Sequence, residues 1–78
     1  MQWTTNNERL EREFTFSDFK QALQFVNQVG ELAEEMDHHP DILMFGYKHV
    51  KITLTTHSKG KITELDYSLA GKIDQIIL

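Results

Sequence analysis

The 78-residue chain has no cysteine, a single proline and four glycines. Without cysteine no disulfide can staple a small fold, and a reducing, cytoplasmic compartment fits that usage. With one proline and no Ser/Gly-rich tract, repeat or low-complexity stretch there is no linker, so residues 1–78 are expected to form one domain. No apolar run approaches the ~20 residues that cross a bilayer. The first residues also lack the basic start and apolar block of a secretory leader. Eight Lys and Arg stand against twelve Asp and Glu, for a formal charge of −4. The basic residues form no cluster, which argues against a nucleic-acid surface and its phosphate charge. A small core without staples often gains stability by association, so a homodimer or homotetramer is expected.

Hydrophobic periodicity places the elements. Residues 9–16 alternate, with Leu10, Arg12, Phe14 and Phe16 on one side, and read as a strand whose Arg12 must reach an edge or a polar pocket. A shorter strand around Gln2–Thr4 precedes it, with Asn6-Asn7 as the turn. Ser17 stands where an N-cap belongs, with Asp18 in the first turn. Phe19, Ala22, Leu23, Val26, Val29, Ala33 and Met36 then recur at helical steps, and Pro40 ends the helix. Residues 42–45 and 49–56 read as strands joined by Gly46-Tyr47-Lys48, and Ser58–Lys61 as a turn. Thr63-x-x-Asp66 has the form of a capping box, opening a helix with the stripe Leu65, Leu69, Ile73, Ile76 and Ile77. The order β-β-α-β-β-α predicts an α+β fold: a four-stranded antiparallel sheet covered on one face by two or three helices.

Four histidines are the residues best suited to chemistry. His38 and His39 follow the end of the long helix and, being adjacent, are expected to point apart. His57 lies at the far end of the last strand. Glu34, one helical turn before His38, is placed to orient that imidazole. An imidazole with its unperturbed pKa of about 6.5 serves as acid or base near neutrality. Redox chemistry fits less well, since no flavin, haem or dinucleotide signature is present. Adjacent histidines chelate poorly and no pair is spaced four apart on a helix, so no metal is expected. His49 reads as an exposed strand residue, and helix initiation alone can explain Asp66. The residues themselves thus lead to a histidine acid–base site or a polar binding pocket.

Three blocks carry the reading further: Asp37-His38-His39-Pro40, then Val50-x-Ile52-x-Leu54-x-Thr56-His57, then Gly60-x-x-Thr63-x-x-Asp66-x-x-Leu69-Ala70. Together with Leu10–Phe16 they resemble the pterin-4a-carbinolamine dehydratase family from Leu10 to about Asp74. The resemblance implies a cofactor-free lyase that dehydrates 4a-hydroxytetrahydropterin to the quinonoid dihydropterin. It implies His38 and His57 as the acid–base pair and His39 as a residue that binds and positions the pterin. Glu34, Asp37, Pro40, Thr56 and Asp66 fall on supporting pocket positions. Some members also act as protein-binding dimerisation cofactors, and Ile73, Ile76 and Ile77 offer an apolar surface for self-association or for a partner. This sequence departs from the family's pattern at three places. Ile42 replaces a common tryptophan, and the stretch between Pro40 and Val50 is one residue longer. Lys61 stands at a frequent glycine, where a left-handed backbone would be strained.

Overall fold

In the computed structural model, which describes residues 2–77, six elements follow in the expected order: β1 (Thr4–Thr5), β2 (Leu10–Thr15), α1 (Phe19–Met36), β3 (Asp41–Phe45), β4 (His49–Leu54) and α2 (Glu64–Ile76). The sheet order is β1-β2-β4-β3 and every pairing is antiparallel. The register sets Leu10 opposite Leu54, Arg12 opposite Ile52 and Phe14 opposite Val50. Because side chains alternate across a strand, this puts the apolar residues of β2 and β4 on one face. Leu10, Phe14, Val50, Ile52 and Leu54 are all buried there under the helices. Glu11, Glu13, Lys51 and Leu43 occupy the opposite face. No helix among the described residues is long and apolar enough to cross a membrane.

The buried stripe of α1 is Ala22, Phe25, Val29 and Ala33. Phe19 and Leu23, expected on that stripe, are exposed, and Phe25 takes their place. The reason is the aromatic layer: the Phe25 ring lies 4.7 Å from that of Phe14 and 5.0 Å from that of Phe16. Facing Phe14 on β2 and Phe16 just after it turns α1 until Leu23 points to solvent. The helix also starts one residue later than expected. Asp18, not Ser17, is the N-cap, and its carboxylate accepts the Gln21 N–H at 2.8 Å. In α2, Leu69, Ala70 and Ile73 are buried while Leu65 and Ile77 are exposed.

Arg12 does find a polar partner on the core side. Its guanidinium lies over the Phe14 ring and pairs with Asp74 at 2.5 Å, and the Trp3 indole N–H donates to the same Asp74 oxygen at 2.9 Å. This cluster ties the segment before β1, strand β2 and the second half of α2 together. The β3–β4 hairpin turns through two left-handed residues, Gly46 and Tyr47. A Cβ at Gly46 would come within 2.9 Å of the His49 ring, so glycine is required there. The strain expected at Lys61 does not arise, because Gly60 carries the left-handed conformation and Lys61 instead bridges back to Thr56. Replacing Asp74 by alanine leaves the Arg12 and Trp3 donors without their acceptor. A loss of about 1–2 kcal/mol of unfolding free energy is expected in denaturant titration; an unchanged midpoint and slope would show that the cluster contributes nothing.

Candidate active site

The site is built by the way α1 ends. Asp37 takes a left-handed conformation (φ 50°, ψ 43°), and its N–H bonds to the Glu34 carbonyl. The next N–H, of His38, reaches back to the Ala33 carbonyl at 3.1 Å. This six-to-one closure is the Schellman pattern of helix termination, here with aspartate in place of the usual glycine. Pro40 then prevents helix from resuming. The sharp reversal sends His38 inward, where it is buried, and leaves His39 exposed. The expectation that the two imidazoles diverge holds, and the left-handed residue before them is the cause.

Inward, His38 meets α2. Thr63 is the N-cap of that helix and forms a reciprocal capping box with Asp66. The Asp66 side chain is fully buried. Its Oδ1 lies 2.6 Å from His38 Nε2, while Oδ2 accepts the Thr56 hydroxyl and the Thr63 N–H, each at 2.8 Å. A carboxylate without partners in such a place would be costly. Here every buried side-chain oxygen and nitrogen among the described residues is hydrogen-bonded. Helix capping alone is therefore too small a role for Asp66, since one carboxylate starts α2 and holds His38. Thr56 belongs to the same cluster, fixed through its N–H to the Lys61 carbonyl at 3.0 Å.

His57 follows Thr56 directly and opens the exposed turn that Gly60 closes, with the Gly60 N–H donating to the Thr56 and His57 carbonyls. Glu34 does not orient His38 as expected. Its carboxylate pairs with His39 Nε2 at 2.5 Å, and both side chains are largely exposed. The left-handed Asp37 accounts for this, because it breaks the helical spacing that would have stacked His38 over Glu34. Asp37 and Pro40 act on the site through the backbone, one by turning the chain and the other by keeping it turned. Thus His38, Thr56 and Asp66 come together in one buried cluster, and His39 with Glu34 forms an exposed pair beside it.

Sequence reasoning passed over the Thr63 hydroxyl, which lies 2.7 Å from that of Thr56. The capping-box pattern pointed to Thr63, but its second partner depends on how the turn after β4 packs on α2. Two surface hollows lie away from the site, and a third, of about 740 Å³, lies along α1 beside Asn27, Glu31 and the site residue Glu34. One, of about 210 Å³, is on the outer sheet face beside Glu11, Glu13 and Lys51. The other, of about 350 Å³, runs between the helices along Gln28, Leu32 and Ile76. Hydrogen bonding at His38 outweighs any of these hollows as a guide to chemistry, because proton transfer needs a placed donor more than an enclosed volume. Among the described residues no three His, Asp or Glu side chains converge as a metal-holding group.

Comparison with known proteins identifies the family and the fold. The family model described as pterin 4 alpha carbinolamine dehydratase matches residues 1–76. A protein of Sulfurisphaera tokodaii, provisionally named a pterin-4-alpha-carbinolamine dehydratase, is 44% identical over 75 residues, covering 96% of this chain and 80% of its own. The crystal structure of a transcriptional coactivator/pterin dehydratase from Brucella melitensis superposes with a TM-score of 0.91 at 39% identity, covering 96% of this chain and 81% of that one. A pterin dehydratase-like protein identified as a RuBisCO assembly factor in the alpha-carboxysome gives a TM-score of 0.74 at 27% identity, over 94% and 83% of the two chains.

Two substitutions separate the buried cluster from the exposed pair. Asp66→Ala removes the capping box and strands three donors, and a loss of about 2–4 kcal/mol of stability is expected in chemical denaturation. Glu34→Gln touches only an exposed pair and is expected to shift stability by no more than about 0.5 kcal/mol. Equal losses would refute this division.

Proposed function

The chain belongs to the pterin-4a-carbinolamine dehydratase family, and from that premise we propose that it converts a 4a-hydroxytetrahydropterin to the quinonoid dihydropterin and water by histidine general acid–base catalysis. The observation that carries this reading is His38 held on the buried Asp66 at 2.6 Å, one residue away from the exposed His39 and joined through Thr56 to the start of the His57 turn. The reaction breaks the C4a–O bond and makes a C=N bond to the neighbouring ring nitrogen. One proton goes to the departing hydroxyl, which leaves as water, and one is taken from that nitrogen. The balance needs a proton donor and a proton acceptor and no change of oxidation state.

His38 and His57 are the pair proposed for these two transfers. The buried carboxylate orients the His38 ring and stabilises it when protonated, as an aspartate does for the histidine of a hydrolytic triad. His39, with Glu34 on its Nε2, offers a directed polar edge for binding the pterin. Asp37 and Pro40 support the pocket by fixing the turn that presents both imidazoles. Ile42 stands where an aromatic ring is common in this family; it is partly buried opposite Ile52 and packs on the core. A pterin bound here loses one aromatic neighbour and depends more on polar contacts.

The same proposal includes a cytoplasmic homodimer or homotetramer. Strand β3 lies at an edge of the sheet with Leu43 and Phe45 exposed, and bare apolar edges favour pairing with another chain. A non-catalytic pterin- or protein-binding dimerisation module is the second reading, favoured by the likeness to the carboxysome assembly factor. The surface of α2 available to a partner is Leu65, Tyr67 and Ile77, whereas Ile73, expected there, is fully buried in the core.

Stopped-flow absorbance of 4a-hydroxytetrahydropterin decay tests the first reading. The metal-free protein is expected to accelerate decay well above the spontaneous rate. His38→Ala and His57→Ala are each expected to lower turnover by ~10²-fold or more, and His39→Ala to act mainly on KM. No acceleration by the folded protein would favour the binding module, and wild-type rates in both alanine variants would remove the proposed roles.

A further inference from the structure

The hydrogen-bond chain behind Asp66 has a direction that the atoms themselves dictate. Thr56 has one hydroxyl proton and two close oxygen neighbours, Asp66 Oδ2 at 2.8 Å and Thr63 Oγ1 at 2.7 Å. An ionised carboxylate only accepts, so the Thr56 proton goes to Asp66. Thr63 must then give its own proton to Thr56. The Thr63 oxygen, having donated, accepts the Leu65 N–H at 3.3 Å. The Thr63 N–H meanwhile joins the Thr56 hydroxyl on Oδ2. Each donor in the chain therefore points the same way, from the first turn of α2 through two hydroxyls to the carboxylate. Aligned hydrogen bonds of this kind reinforce one another in a buried setting.

The far end of the chain is His38. With Oδ2 engaged by two donors, Oδ1 faces Nε2 at 2.6 Å. An acceptor-only oxygen at that distance requires the proton to be on Nε2, which leaves Nδ1 as the nitrogen that can exchange a proton with a substrate. We propose that Thr63 is a positioning residue: its hydroxyl, acting through Thr56 and Asp66, holds His38 in the Nε2–H tautomer with Nδ1 turned to the reaction. Thr63 touches neither imidazole nor substrate. It acts on His38 through two intermediate side chains. The catalytic part of this inference rests on the dehydratase reading given above, while the tautomer assignment does not.

The test combines 15N NMR of the His38 imidazole, recorded on the full chain without substrate, with steady-state dehydration kinetics. Thr63→Val removes the hydroxyl and the cap together. Thr63→Gly removes the hydroxyl at a position where glycine is a tolerated cap, so it serves if the valine variant does not fold. The wild type is expected to show the Nε2–H tautomer with a strongly downfield Nε2 proton. In both variants that signal is expected to broaden and move upfield as the carboxylate loses its fixed position. Turnover is expected to fall about tenfold, the lower end for losing a residue that orients a functional ligand from behind, with KM changed less than about twofold. Thr63→Ser keeps hydroxyl and cap and is expected to recover both readouts. An Nδ1–H tautomer in the wild type, or an unaltered His38 spectrum in both the valine and glycine variants, would overturn the proposal. If the wild type shows no turnover, the dehydratase reading fails and the spectra alone decide the role of Thr63.

Discussion

The hydrogen bond between His38 and Asp66 links two parts of the chain 28 residues apart, and the remaining features of the site are arranged around it. A fully buried carboxylate is stable only if its oxygens are matched. That requirement fixes the start of α2, the placement of Thr56 after β4, and the inward course of the chain after α1. The apolar core positions the helices against the sheet in a general way; Leu69, Ala70 and Ile73 on one side and Val50, Ile52 and Leu54 on the other define the distance between the layers. The polar cluster selects the rotation of α2 within that layer.

The second constraint is the left-handed Asp37. A non-glycine residue in this conformation carries a modest conformational cost, smaller for aspartate than for most side chains. It persists because Ala33 and Glu34 close the helix through it and Pro40 bars an alternative path. The local strain yields divergent histidines, one sheltered on a carboxylate and one at the surface on another. The unlike surroundings of the two imidazoles match the division proposed for them, proton transfer at His38 and pterin binding at His39.

The fold was largely legible because its signals are periodic. Alternation along β2 and β4, the capping box at Thr63 and the stop at Pro40 each depend on neighbours in sequence, and each appears where expected. The misplacements have a common cause. Phe25 displaced Phe19 and Leu23 from the core because it answers Phe14 and Phe16 on another element. Glu34 went to His39 because one left-handed residue cancels helical spacing. The Thr56–Thr63 contact was invisible because nothing local says that the turn after β4 packs on the beginning of α2. In the site the residue types were readable, whereas the partnerships depended on tertiary packing. The β3–β4 hairpin lies beyond the other end of β3 from Pro40, five strand residues or roughly 17 Å away, clear of the histidine cluster.

Helix α2 carries polar anchors on the same stripe at both ends of its apolar stretch: Asp66 bound to His38 and Thr56, and Asp74 bound to Arg12 and Trp3. Between them Leu69, Ala70 and Ile73 fill the core. A helix pinned only by apolar contacts can slide or fray at small cost, but neither anchor can be released here without exposing unpaired buried donors. These two anchors oppose local opening in the middle of α2. His38 is accordingly set on Asp66 before any ligand arrives.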